Sequence, residues 1–164
     1  MSTRTHEVDF NGFNMANTLD RLEGFIAEAP TSNPAISAWS VGMQIHHALL
    51  ATIHISQFLT DSTPGEKKQS FSVPRSLILL TGKIPRGRGK APKRSLPNQD
   101  ITAQDLDELL TRARTVLDAA SQSDPACWWK HFAFGVMRRD TAIKFIHVHN
   151  RHHLSIITDI IDSP

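Results

Sequence analysis

The 164-residue sequence has a single cysteine and no long apolar run. Because Cys127 has no partner within the chain, an internal disulfide is excluded and a reducing, cytoplasmic environment is expected. No apolar run approaches the roughly 18 residues that a membrane-spanning helix needs, and the first residues lack the apolar stretch of a signal peptide. Apolar residues make up 40% and charged residues 21%, which excludes a disordered chain. We therefore expect one globular domain over residues 1–164, without a membrane partner.

The net charge of +2 is unevenly distributed. Residues 61–100 hold nine Lys and Arg but only three Asp and Glu, and segment 83–94 holds six of these bases and no acid. The six are Lys83, Arg86, Arg88, Lys90, Lys93 and Arg94. A basic loop can contact phosphates, so binding of nucleic acid or another anion is one hypothesis. The absence of interleaved aromatic residues argues against it, and a solvated loop is the simpler interpretation.

Four segments have apolar residues at the spacing of three to four that is typical of amphipathic helices. They are predicted at about 15–29, 40–59, 102–121 and 140–161. Ser37 or Ser40 is expected to cap the second helix, and Thr102 with Asp105 resembles a capping box for the third. A short extra helix is predicted over 71–80, with an extended segment as the alternative, and no segment shows the alternation of a long strand.

The long connection between the second and third helices indicates the topology. Neighbouring antiparallel helices need only short loops, whereas about 40 residues permit a crossover along a bundle. We predict an all-α four-helix bundle in up-down-down-up order, with its core over about 15–161 and segment 61–100 as a basic crossover. The apolar side chains of the crossover are expected to be packed against the bundle; they are Val73, Leu77, Ile78, Leu79 and Leu80.

Nine histidines are present, and seven of them fall in two of the predicted helices. His149 and His153 are four residues apart, so they lie on one helix face and can converge on one ion. His47 borders the apolar face of the second helix and reaches the same depth if the two helices are antiparallel. Three imidazoles suit zinc, nickel, copper or iron and leave coordination positions open for water or substrate. The alternative is that these histidines are hydrogen-bonded core residues.

Two parts of the sequence resemble a known superfamily. Segment 39–47, WSVGMQIHH, resembles the tryptophan-plus-eight histidine motif of the DinB-like metalloenzymes. Segments 131–135, HFAFG, and 149–154, HNRHHL, resemble one branch of it, a family of unknown function with His-Pro-x-Phe-Gly and His-x-x-His-His-Leu elements. The resemblance implies a four-helix bundle in up-down-down-up order.

The same resemblance implies a metal site. In the superfamily, nickel or zinc is held by one histidine of the second helix and two of the last, which match His47, His149 and His153. The sequence departs from the pattern at three other positions. Phe132 replaces the proline, Ala142 replaces a tryptophan, and Ile156 replaces a glutamine. These changes affect the shape and polarity of the pocket rather than the ligands.

Relatives in the superfamily include transferases and isomerases that use low-molecular-weight thiols. The resemblance therefore implies a metal-dependent transferase or hydrolase acting on a small molecule, since a bound metal lowers the pKa of a thiol or water. His131, His54 and His152 are the candidates for proton transfer or for positioning the metal ligands. A homodimer is expected by analogy, and a non-catalytic structural dimer is the remaining hypothesis.

Overall fold

The computed structural model describes residues 15–87 and 93–163, without the side chains of residues 15, 16 and 94. This part of the chain is mostly helical, with one small antiparallel sheet. The helices are α1 (Met15–Glu23), α2 (Val41–Asp61), α3 (Val73–Thr81), α4 (Ala103–Gln122) and α5 (Arg139–Asp162). The strands are β1 (Trp128–His131) and β2 (Gly135–Arg138), and single 3-10 turns cover Ile26–Glu28 and Lys93–Ser95. None of the described helices is both long and apolar enough to cross a membrane.

Side-chain caps fix where the long helices begin. The Ser40 hydroxyl accepts a hydrogen bond from the Met43 amide at the start of α2, whereas Ser37 does not cap this helix. At the start of α4, the Thr102 hydroxyl and the Asp105 carboxylate each bond the other's backbone amide, which confirms the predicted capping box. The caps account for the close agreement between predicted and observed helix starts.

The first helix is shorter than predicted. It ends at Glu23, and the chain then tightens into the 3-10 turn at Ile26–Glu28. Gly24 follows the last helical residue and has a low helix propensity, so continuing the helix through it is unfavourable. The apolar spacing persists through the turn, which is why the sequence pattern extended the helix to residue 29.

The hairpin of β1 and β2 was not predicted. Trp128 lies opposite Arg138 and His131 lies opposite Gly135, so only three residues connect the strands. Strands of four residues are too short to show a clear alternation of apolar and polar residues. The expectation that the chain is purely helical is therefore wrong at this position.

Helix α2 lies at the centre and packs against α4 and α5. Its fully buried residues include Ile45, Leu49 and Ile53. Two hydrogen-bonded pairs connect α2 to α5: Gln44 with His153, and Thr52 with Asn150. Because the later residue of α2 meets the earlier residue of α5, these two helices run antiparallel, as the histidine argument required.

Helix α3 forms in the crossover as predicted, but most of its apolar side chains are not buried. Val73, Leu77 and Leu80 are 55%, 56% and 83% exposed, while Ile78 is 8% exposed and Leu79 is partly buried against the core. The expectation that all five side chains pack against the bundle is wrong. Only one face of an isolated helix can contact the core, and the five residues are distributed around α3. The exposed residues lie on the other faces of α3.

Candidate metal centre

His47 is held on α2 by a backbone carbonyl from the crossover. The side chain is 5% exposed, and its Nδ1 lies 2.6 Å from the carbonyl oxygen of Ser95. A carbonyl only accepts hydrogen bonds, so Nδ1 carries the proton and donates it. When the ring is neutral, the Nε2 atom of His47 is therefore unprotonated and has a free lone pair.

His153 is held in the same way from α5. It is 6% exposed, and its Nδ1 lies 2.6 Å from Oε1 of Gln44 on α2. The amide nitrogen of Gln44 donates to the Ser37 hydroxyl at 3.0 Å, which orients the amide with its oxygen toward His153. Nδ1 of His153 therefore donates to Gln44, and its Nε2 atom is also unprotonated with a free lone pair. Such partners commonly fix the orientation of metal-ligating histidines.

His149 completes the group from one turn earlier on α5. Its Nε2 lies 3.3 Å from Nε2 of His47 and 3.3 Å from Nε2 of His153. The ligand atoms of all three histidines lie within 4.8 Å of one another. Nitrogens about 2.0–2.1 Å from one metal at tetrahedral angles are about 3.3–3.4 Å apart. The three histidines are thus close enough to hold a metal ion.

Hydrogen bonding between the rings does not satisfy this group. His149 Nε2 can carry one proton and donate it to either His47 or His153, which leaves the other buried lone pair facing nitrogen. The Nδ1 atom of His149 is buried and has no hydrogen-bond partner in the described part of the chain. Buried polar atoms without partners are unfavourable, and one cation between the three Nε2 atoms would satisfy all three lone pairs.

Burial keeps the three imidazoles neutral. It lowers the pKa of His47, and it lowers the pKa of His149 and His153 well below the usual histidine range. Charge on the neighbouring imidazoles lowers the pKa of His149 and His153 further. Neutral imidazole is the form that binds metals, so the group is in its ligating state at neutral pH.

Aromatic rings lie beside the group, which is not fully buried. The Trp39 ring lies 5.1 Å from the His47 ring, and the Phe145 ring lies 6.0 Å from the His149 ring. His149 retains partial exposure, whereas the two flanking histidines are buried. Of the three histidines, His149 is therefore the one whose residue is not fully covered by the protein.

The three further histidine candidates lie at different distances from this centre. The His152 ring lies 5.2 Å from the His153 ring, edge to face. His131 lies on the other side of Phe145, whose ring is 5.3 Å away. His54 is partly buried on α2, two turns from His47, and does not belong to the three-histidine group. Of the three, His131 and His152 remain candidates for positioning a ligand.

Sequence reasoning missed the two groups that orient the ligands. Gln44 lies three residues before His47, within the segment that carried the resemblance, and its position on the inner face of α2 was a usable signal. Ser95 acts through its backbone carbonyl, which no residue pattern can reveal. Both contacts depend on how the crossover and the helices pack.

The basic segment is only partly described. Arg86 forms an ion pair with Asp159 at 2.7 Å and donates a hydrogen bond to Ser155, both on α5. Arg88 and Lys90 lie outside the described residues, as does the side chain of Arg94. Arg86, one of the six basic residues considered for phosphate binding, is therefore already paired within the protein.

Comparison with known proteins identifies a family but no characterised relative. The family described as "Protein of unknown function (DUF1569)" matches residues 36–160, which include all three histidines of the group. No curated protein and no solved structure gives a significant match.

Proposed function

The chain belongs to the DUF1569 family of proteins of unknown function, and we propose that it is a metal-dependent enzyme acting on a small molecule. In this proposal His47, His149 and His153 hold one divalent transition metal. The observation that supports it best is that His149 Nε2 lies 3.3 Å from the Nε2 atoms of both His47 and His153. The rings of His47 and His153 are each held through Nδ1 by a carbonyl oxygen. Hydrogen bonds to oxygen acceptors are the arrangement that prepares Nε2 for a metal.

Nickel or zinc is the proposed metal, because a set of three neutral imidazoles suits borderline cations. A three-ligand set leaves at least one coordination position for a ligand, which is typical of catalytic rather than structural sites. A metal of this kind supplies Lewis acidity and lowers the pKa of a water or thiol. The protein's own residues would hold the metal, orient the rings and exclude bulk water with Trp39 and Phe145.

We also propose that the fold is the up-down-down-up bundle of the DinB-like superfamily. The antiparallel pairing of α2 with α5 supports this order. The start of α4 lies near the start of α2, where His46 and Asp105 line the same surface cavity. After the end of α4, the Cys127 thiol lies 3.8 Å from the carbonyl oxygen of Ser62, which follows α2. Parallel α2 and α4 are what a long crossover between them would produce.

For the reaction, we propose transfer or hydrolysis on a small molecule, with a low-molecular-weight thiol as the first co-substrate to test. The partial exposure of His149 and the Trp39 and Phe145 rings next to the group support a small organic ligand. No described carboxylate contributes to the pKa shifts of the three proposed ligands, so a histidine or the thiol itself is the proposed general base. Asp20 and Glu23 form ion pairs with Arg114, so we do not propose either of them as the general base.

Metal content of untagged protein tests the proposal. We expect close to one nickel or zinc per chain by mass spectrometry, and loss of most of it in His47→Ala, His149→Ala and His153→Ala. His54→Ala is the matched control on the same helix and should keep the metal. Circular dichroism checks that each variant remains helical. Failure of the parent protein to bind added nickel or zinc would refute the proposal.

A further inference from the structure

Helix α3 has apolar side chains on two faces, and only one of these faces is packed. Val73, Leu77 and Leu80 follow the spacing i, i+4, i+7, so they share one helix face. Their exposed fractions are 55%, 56% and 83%. Ile78 lies on the opposite face, where it is buried. The face of α3 that meets solvent is therefore apolar, the reverse of what a surface helix usually shows.

Hydrogen bonds to the hairpin keep this face turned outward. Arg75 lies on the buried side of α3 and donates to the carbonyl oxygen of Phe134 at 3.0 Å. Just before the helix, the amide of Ser70 donates to the carbonyl oxygen of Val136 at 3.2 Å. The next residue, Phe71, is 85% exposed. Several large apolar side chains exposed in one segment are typical of an interaction surface. We call this surface the α3 apolar face; it consists of Phe71, Val73, Leu77 and Leu80.

Basic side chains lie at both ends of the α3 apolar face. Those next to it in the sequence, all exposed, are Lys67, Lys68 and Lys83. At the end of the helix, the Arg151 guanidinium lies only 3.6 Å from where a Cβ of Gly82 would be. Glu66 is the only acid in segment 66–87, and it is paired with its neighbour Lys67 at 3.6 Å. Arg86 is not counted, because it is paired with α5. An apolar face between bases fits an anionic partner.

We propose that the α3 apolar face docks on an anionic lipid surface. The apolar side chains enter the boundary between head groups and acyl chains, and the flanking bases contact the charged head groups. Such a contact needs no membrane-spanning helix, and the described helices include none. The expectation that the protein has no membrane partner rests on the lack of a spanning segment, and a contact at the surface does not require one.

Charge and shape favour a lipid surface over a protein partner. Two copies docked through this face about a two-fold axis would bring their flanking lysines close together, which is unfavourable. Phe71 and Leu80 are 85% and 83% exposed, so they protrude from the protein. A protein partner would need pockets that match these side chains, whereas a fluid lipid boundary adapts to them.

Cosedimentation with lipid vesicles tests the proposal on the full chain without added metal, so the result does not depend on the proposed metal site. The vesicles contain equal parts of phosphatidylcholine and phosphatidylserine, or phosphatidylcholine alone. We expect binding to the mixed vesicles that weakens as salt increases, and much weaker binding to phosphatidylcholine alone. The double variant Leu77→Ser, Leu80→Ser should bind at least about tenfold more weakly, because two side chains no longer enter the apolar boundary.

Two further variants separate the apolar contribution from the charge. Ile36→Ser is the matched control, because Ile36 is 38% exposed but lies outside the α3 apolar face; it should bind like the parent. Lys68→Gln combined with Lys83→Gln should weaken binding to the mixed vesicles by about tenfold, the effect of two bases near an anionic surface. All the replaced side chains are exposed, and circular dichroism checks that the variants remain helical.

Three results would overturn the proposal. Lack of binding to the mixed vesicles would leave the α3 apolar face to a protein partner. Equal binding by the parent and by the double leucine variant would show that this face takes no part. A dimer in sedimentation equilibrium that the double leucine variant dissociates would show that a second copy occupies the face instead.

Discussion

Gln44 connects the two helices that carry the proposed metal ligands, and the role of its side-chain oxygen can be tested by substitution. Its Oε1 accepts the Nδ1 proton of His153 at 2.6 Å. Replacing it with Leu keeps the volume roughly constant but removes the acceptor, so His153 loses its fixed tautomer. We expect Gln44→Leu to weaken zinc binding by about 10–100-fold, as is usual when such partners are removed. Competition with a chromophoric chelator measures the change.

Two further variants separate orientation from packing at Gln44. Gln44→Glu keeps an acceptor oxygen opposite His153, so zinc affinity should stay close to that of the parent. Ser37→Ala removes only the hydrogen bond that orients the Gln44 amide and should have a smaller effect than Gln44→Leu. Equal affinity in Gln44→Leu and the parent would show that His153 needs no acceptor.

Gly135 allows the hairpin that holds His131 in place. Its φ is +73°, and a Cβ there would overlap with the Ser70 hydroxyl. Gly65 has a similar φ of +78° but open space around it. We therefore expect Gly65→Ala to cost about 1 kcal/mol from the backbone conformation alone. Gly135→Ala should cost about 1–2 kcal/mol more, because Ser70 must move. Urea unfolding of both variants measures the difference, and equal costs would show that Ser70 yields freely.

At the residue scale, the sequence predicted the proximity of the three histidines better than their surroundings. His149 and His153 could be predicted because four-residue spacing on a helix determines which side chains share a face. His47 required the additional assumption that α2 and α5 are antiparallel. The contact of His131 Nδ1 with the amides of Ala133 and Phe134 was not predicted, because the hairpin itself was missed.

Arg75 fixes α3 to the hairpin, although most of the apolar face of α3 is exposed. The residue is 5% exposed, and its guanidinium donates to the carbonyl oxygens of Ser70, Phe134 and Val136. Burial lowers the pKa of Arg75, but the group stays charged because its ordinary pKa is far above neutral. The Arg75 side chain thus provides hydrogen bonds to three carbonyl groups that lie outside the helices.

We expect Arg75→Met to release α3 from the protein while the other helices remain folded. Loss of charge-assisted hydrogen bonds and exposure of their acceptors should cost about 2–3 kcal/mol. Hydrogen exchange should increase selectively at the amides of α3 and of β2. Arg75→Lys keeps the charge without the planar group of donors, so an intermediate effect is expected. Exchange that increases uniformly across α2 and α5 would contradict local release.

At the element scale, the helices could be predicted where local signals agree. Helix α4 has a capping box and a regular apolar face, so its predicted and observed limits differ by one residue. Helix α3 was predicted from its apolar residues, yet the same residues were wrongly expected to be buried. The position of α3 is determined by Arg75, which reaches the carbonyl groups of Phe134 and Val136 far away in the sequence. Periodicity does not encode such a contact.

At the scale of the whole molecule, the crossover takes part in the proposed site. Its Ser95 carbonyl orients His47, and its Arg86 is paired with α5. Metal binding should therefore stabilise the crossover as well as the bundle. We expect saturating zinc, at about 100 times its dissociation constant, to raise the free energy of unfolding by about 2.7 kcal/mol. Trypsin cleavage after Lys93 should slow in the zinc-bound protein, and His149→Ala, which leaves the Ser95 contact intact, should show neither effect.

The buried histidines make the stability of the metal-free protein depend on pH. Burial lowers the pKa of His131 and His147 to about 4, and that of His149 and His153 well below the usual value. Between about pH 6.5 and pH 4 the unfolded chain binds protons that the folded chain does not, so the free energy of unfolding falls as pH falls. The carboxyl pKa values of Glu23 and Asp105 are lowered as well, by hydrogen bonds to Arg114 and to Thr102. Their contribution is lost only at still lower pH.

The interval from pH 5 to 6.5 therefore isolates the imidazoles. Urea unfolding across it should show stability that decreases steadily toward acid. In His131→Phe the pH dependence should be weaker by up to one proton, because the unfolded variant has one fewer imidazole to protonate. His54→Phe, the same substitution at a histidine outside the three-histidine group, is the matched control. Stability that is constant over this interval would show that the histidines accept protons without unfolding, and would contradict their burial as neutral groups.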